Sequence, residues 1–172
     1  RWQESPPPAP PTRDRAPVPG GPSGRRGELV AVYSPKGGVG CTTIAVNLAV
    51  ALHQMSDGQI KVGLMDTSVQ FGDVGVMLNL QAHRSMADLA PHLGELDSEI
   101  LGAVLAPHGS GIKALLAPPH PEEAETLLTT AMRGGAAGTT PIGALLELMR
   151  NEFDIVIVDT WSWIDDVVLS VL

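Results

Sequence analysis

One stretch of this 172-residue chain gathers groups that could hold a phosphorylated ligand: Ser34-Pro35-Lys36-Gly37-Gly38-Val39-Gly40-Cys41-Thr42-Thr43. Gly37, Gly38 and Gly40 let the backbone curl with its N–H groups turned inward, forming a nest for phosphate oxygens. A helix starting directly afterwards would add the partial positive charge of its N-terminus. Lys36 supplies a mobile cation beside the phosphates. Thr42 stands at the helix start, where a hydroxyl can ligate a phosphate-bound magnesium ion. Val39, Cys41 and Thr43 complete the loop. The plainer alternative is an ordinary glycine turn. The lysine, the three spaced glycines, the two threonines and both flanking elements speak for the phosphate site.

Such a loop works only between a strand and a helix. Leu29-Val30-Ala31-Val32-Tyr33 reads as a buried strand. From Thr42 to Met55, Ile44, Leu48, Leu52 and Met55 recur at helical spacing and predict an amphipathic helix. Lys61 to Met65 reads as a second strand ending at Asp66, and Ile112 to Leu116 as a short third. Ser85–Leu93 and Ser98–Leu105 are expected to be helical, and Gly134–Thr139 a loop. Thr140 can cap a helix that has Pro141 in its first turn and ends near Asn151. Asp154 to Val158 is the most apolar strand and ends at Asp159. The Pro118-to-Glu123 segment reads as a helix start, with a ligand loop as the alternative. The alternation predicts an α/β fold, a mostly parallel sheet with helices on both faces. About four strands are legible, and the chain stops inside the apolar stretch Ile164–Leu172, so the sheet is expected to be truncated at its C-terminal end.

Composition sets the wider bounds. Residues 1–27 carry eight prolines, four glycines and five arginines, and read as a linker tethering something N-terminal. Residues 28–172 form the other unit, the N-terminal part of a phosphate-loop domain. The linker has a balance of +3, which leaves −11 on the body, so nucleic-acid binding by the body's own surface is not expected. No apolar run reaches the roughly 18–20 residues that span a bilayer. Cys41 is the single cysteine, which fits a reducing cytoplasmic setting. His53, His83, His92, His108 and His120 show no metal-ligand spacing.

The run Lys36-Gly37-Gly38-Val39-Gly40-x-Thr42-Thr43 resembles the deviant Walker A motif of the MinD/ParA superfamily of ATPases. Within it, the string Ser34 to Leu48 with Gln70-Phe71-Gly72-Asp73 is similar to the CpaE/TadZ branch of pilus assembly. Leu115-Leu116-Ala117-Pro118-Pro119 and Val158-Asp159-Thr160-Trp161-Ser162 fit that branch too. The resemblance covers residues 29–172. It implies a P-loop NTPase fold, a receiver-like domain before the linker, and binding of ATP or ADP with Mg2+. Lys36 would be the signature lysine that reaches across a homodimer. Thr42 would ligate magnesium, and Asp159 would hold it through water. Asp66 would be the first acid of the switch I region. The implied partners are pilus or secretion assembly proteins. The implied location is cytoplasmic, at the inner membrane face or cell pole through those partners.

Two positions depart from that pattern. Cys41 stands where a second lysine normally contacts the β- and γ-phosphates, and Ser68 stands where the Asp-x-Asp pattern has its second acid. Positioning and electrostatics supply nearly all the catalysis of phosphoryl transfer, so both losses weaken hydrolysis. Asp73 could substitute for the missing acid, but nothing in the sequence aims it. Cys41 admits a redox reading, since a thiol at a helix start can gain reactivity; a small residue tolerated there is the plainer one. Trp161 and Trp163 suit either a partner surface or the core. Three functions follow: a nucleotide-dependent association module with weak or absent hydrolysis, a working ATPase, or a ParA-like DNA partition protein.

Overall fold

A strand as continuously apolar as Ile155-Val156-Ile157-Val158 must be covered on both faces, and the rest of the fold supplies the cover. In the computed structural model the described residues are 26–68, 72–81, 83–92, 95–120, 122–125 and 141–162. The elements are β1 (Glu28–Val32), α1 (Cys41–Met55), β2 (Val62–Asp66), α2 (Val74–Met77), a 3-10 segment (Met86–His92), α3 (Ser98–Val104), β3 (Ala106–Pro107), β4 (Lys113–Leu115), α4 (Pro141–Glu152) and β5 (Ile155–Asp159). The sheet runs β1-β5-β2-β4-β3. Every pairing is parallel except β3 with β4.

Two cores fill the two faces, and sidedness alternates along each strand as the pleat requires. Leu64 and Ile157 point into one core with Ala45, Val46 and Ala49 of α1. Met65, Val156 and Val158 point into the other, with Leu101 of α3 and Leu145 and Met149 of α4. Leu64, Met65, Leu145, Met149 and Ile157 are fully buried, each contributing roughly 1.5–3 kcal/mol. Gly63 is small because α4 leans in: a Cβ there would lie 2.8 Å from Phe153 and 3.0 Å from Met149.

The mostly parallel sheet with helices on both faces agrees with the sequence reading, with three corrections. Among the described residues five strands form rather than four. The missed one, β3, is two residues long and contains Pro107, which permits only an edge pairing. The segment expected as helix at Ser85–Leu93 is 3-10, with Pro91 inside it; proline removes the donor an α-helix needs there. The α1 stripe also turns differently. Ile44 is 56% and Met55 69% exposed, whereas Ala45 and Ala49 are fully buried. Small residues let the helix approach the sheet closely, so α1 presents its alanines rather than its longest side chains. The linker over residues 1–25, the loop Gly134–Thr139, the cap Thr140, Gln70, Phe71, Trp163 and the stretch Ile164–Leu172 lie outside the described residues.

Candidate functional site

The phosphate-loop segment leaves β1 and enters α1 directly. Gly38 has φ 74° and Gly40 φ 92°, the left-handed region that glycine adopts without penalty. Gly40 is the N-cap of α1 and offers no side-chain cap, so the first-turn N–H groups are not claimed by a capping oxygen. No acid stands in that first turn; a carboxylate there would repel an anion. Lys36, Gly37, Gly38 and Val39 are exposed, and Cys41 and Thr42 are half-buried. The Lys36 N–H donates to the Ser34 hydroxyl at 3.2 Å, which tightens the entry to the loop. An uncapped 15-residue helix N-terminus behind an inward-curled loop is built to accept an anion.

The acids arrive from the neighbouring strands. β5 lies between β1 and β2, with Asp159 in register with Val32 on one side and Asp66 on the other. Both carboxylates are therefore held at the C-terminal edge of the sheet, where the loop also begins. Hydroxyls lace this edge together. Thr67 donates its side-chain O–H to the Asp159 carbonyl at 2.7 Å, and Thr160 donates to the Val32 carbonyl at 2.9 Å. These two threonines escaped the sequence reading. Their signal was present: each follows an acid at a strand end, as Asp66-Thr67 and Asp159-Thr160.

Asp159 is fully buried, and among the described residues neither carboxylate oxygen meets a hydrogen-bond partner of good geometry. Burial pushes its carboxyl above the ordinary range; the nearby Thr42 hydroxyl offsets part of this, and the charge of Asp73 adds to it. An orphaned buried carboxylate is costly and calls for a cation or its water. With the Thr42 hydroxyl beside it, the donor set is all oxygen, which suits Mg2+.

Asp66 is also buried, but its oxygens are occupied. The Ser68 N–H donates to Oδ1 at 3.0 Å and the Val74 N–H to Oδ2 at 3.3 Å. Burial lifts its carboxyl to about 7, with Asp159 and then Asp73 adding repulsion while the two N–H bonds hold it down. Asp66 thus gathers both ends of the 68–74 segment onto one carboxylate. Gly72 makes this possible, since a Cβ there would sit 2.4 Å from Asp66 Oδ2 and 2.4 Å from Ala117 Cβ.

Other candidates fall elsewhere. Trp161 is half-buried against the α3–α4 core, on the core side of the two readings, and its indole N–H is buried without a partner among the described residues. Residues 122–125 are helical, as a helix start after Pro118 requires. A cleft of about 390 Å³ involves His83, Arg84, Ser85 and Asp88 and shares no residue with the phosphate loop. Its Asp88 is already spent on the Ser85 N–H at 2.8 Å. The buried, orphaned Asp159 is therefore the stronger mark of a site.

Residues 26–100 match a family described as ParA, NUBPL iron-transfer P-loop NTPase. Antiactivator FleN of Pseudomonas aeruginosa is 31% identical over 147 residues, which is 83% of this chain and 46% of that protein. Among solved structures, a ParA family ATPase from Chlorobium tepidum superposes with TM-score 0.68 at 26% identity, over 84% of this chain and 55% of the other. The fold is shared, at TM-score 0.66 and 18% identity, with septum site-determining protein MinD from Pyrococcus horikoshii, complexed with Mg-ADP, over 84% of this chain and 53% of that one. The chain thus spans about half the length of these proteins. In loop, strand-end acids and parallel sheet the chain is similar to the ParA/MinD superfamily of P-loop NTPases, and it shares their fold.

Proposed function

We propose that this chain is the nucleotide-binding part of a CpaE/TadZ-like association module, which dimerises with ATP and helps assemble or position a pilus or secretion machine, hydrolysing ATP slowly. The observation that carries the nucleotide reading is the pairing of an uncapped, acid-free α1 N-terminus with the orphaned Asp159 carboxylate. The backbone N–H groups from Gly37 to Thr43 would cradle the phosphates, and Lys36 would add a cation at the solvent side. Thr42 and Asp159 would hold Mg2+, Asp159 through water; when bound, the ion neutralises phosphate charge. The absence of a lysine at Cys41 and of a carboxylate at Ser68 favours slow turnover over a working ATPase.

The pilus assignment rests on the sequence phrases around Gln70 to Asp73 and Leu115 to Pro119. The domain division, with a linker at 1–27 before the nucleotide unit, belongs to the same reading, as do attachment to the inner membrane face through partners and a polar position. No helix among the described residues is long and apolar enough to cross a membrane. The likeness to FleN favours a second reading, in which the same module restrains a protein partner as an antiactivator. A DNA partition role finds less support, given the −11 balance of residues 28–172.

Calorimetric titration of ATP and ADP with magnesium into the full-length protein tests the reading. One nucleotide per chain is expected, with binding lost in Asp159→Ala and nucleotide-dependent dimerisation lost in Lys36→Ala. Absence of any binding heat would refute it. ATP-dependent, salt-sensitive retention on nonspecific DNA would favour the partition role instead.

A further inference from the structure

We propose that Asp73 is the catalytic base of the residual ATP hydrolysis, taking the place that Ser68 leaves without a carboxylate. This rests on the nucleotide-binding reading above and deepens it.

The geometry around the Asp66 carboxylate points to Asp73. Two stretches of chain close on this single group: the Ser68 N–H donates to Asp66 Oδ1 and the Val74 N–H to Asp66 Oδ2. Gly72 is packed so tightly on the same carboxylate that no Cβ would fit. Residue 73 lies between Gly72 and Val74, both of which close on the carboxylate that also accepts the Ser68 N–H. Four positions of intervening sequence separate Ser68 from Asp73, but one carboxylate gathers Ser68 and the two neighbours of Asp73. Asp66 is itself in register with Asp159, whose buried oxygens have no partner of good geometry among the described residues.

Asp73 is the N-cap residue of α2, where a carboxylate ordinarily accepts a helix N–H, yet among the described residues its side chain makes no capping hydrogen bond. Asp73 is exposed. Its charge is felt at both Asp66 and Asp159, which puts it within electrostatic reach of each. Asp66 is a poorer candidate, because both its oxygens already accept backbone N–H bonds.

In the hydrolytic step, Asp73 accepts a proton from the attacking water as the water oxygen bonds to the γ-phosphorus. The bond from that phosphorus to the β,γ-bridging oxygen breaks, and its electron pair leaves with ADP. The proton on Asp73 then passes to the released phosphate or to solvent, so the carboxylate is regenerated.

The test is single-turnover hydrolysis of γ-labelled ATP with magnesium by the full-length protein, alongside calorimetric binding. Asp73→Asn keeps a good N-cap residue and the side-chain volume, so folding and ATP affinity are expected to be unchanged. Hydrolysis is expected to fall on the order of a hundredfold, the contribution of a positioned general base. Adding Ser68→Asp to Asp73→Asn is expected to restore it, which a merely structural role for Asp73 would not allow. If ATP binds but wild type and Asp73→Asn hydrolyse alike, or if wild type shows no hydrolysis above the buffer blank, the assignment of Asp73 fails and the nucleotide reading stands. If ATP does not bind at all, both fall together.

Discussion

Replacing Asp66 with asparagine tests the electrostatics of the site without any ligand. The Asp66 carboxyl is lifted from 3.8 to about 7 by burial and by Asp159. A group that holds its proton more tightly when folded contributes stability that is complete below its unfolded value and is lost as pH rises through its folded one. For Asp66 the window runs from about 4 to about 7, and the ionised form ends roughly 4 kcal/mol worse off. Between about pH 5 and pH 8 the share lost is roughly 2–3 kcal/mol. An asparagine side chain cannot ionise, so Asp66→Asn should lack this component, although its amide leaves one of the two N–H groups without an acceptor. The assay is urea unfolding of wild type and Asp66→Asn at both pH values, followed through the core tryptophan signal. The stability of wild type relative to the variant should fall by roughly 2–3 kcal/mol from the lower pH to the higher. A constant difference would show that the Asp66 carboxyl keeps its ordinary value, and that water or a cation reaches it within the fold.

Gly72→Ala should destabilise by about 1–3 kcal/mol, through overpacking against Asp66 and Ala117. Glycine-to-alanine changes in compatible conformations stabilise instead, so a raised melting temperature would overturn the close-contact argument. Cys41→Lys should tighten ATP binding by about tenfold or more, the worth of one charged hydrogen bond. Unchanged calorimetric affinity would mean that residue 41 is aimed away from the phosphates.

The sequence made the phosphate loop legible because glycine placement is a backbone requirement, and backbone requirements are written in residue type. The left-handed φ values at Gly38 and Gly40 answer directly to it. The paired strands β5 and β2 were legible for a similar reason: they are buried on both faces and read as apolar runs, and the half-buried β1 carries the same kind of run. The orientation of α1 was not, because it depends on how near the helix can come to the sheet. That is set by Ala45 and Ala49, which a search for large apolar residues passes over. β3 was illegible because two residues carry no periodicity. The role of Gly72 was hidden for a further reason. Its neighbours are Asp66 and Ala117, six and forty-five positions away in the chain, and only the assembled sheet brings all three together.

This division between backbone and side chain also accounts for a site that keeps its shape while losing catalytic equipment. Phosphate recognition in this loop draws chiefly on N–H groups, and these are present whatever residue occupies position 41. Each N–H hydrogen bond to a charged oxygen is worth about 1.5–3 kcal/mol, so several together outweigh one absent lysine. Rate is more exposed to that loss. Hydrolysis depends on charges aimed at the transferring phosphoryl group, and removal of a single such donor costs on the order of a hundredfold to a thousandfold. Meanwhile Asp66, Asp73 and Asp159 crowd negative charge at the strand ends, as the upward push on Asp66 and Asp159 records. Lys36 is the one basic side chain of the loop set against them. A nest of backbone donors with so few cations favours holding a nucleotide with its metal over turning it over quickly, in keeping with the association module proposed above.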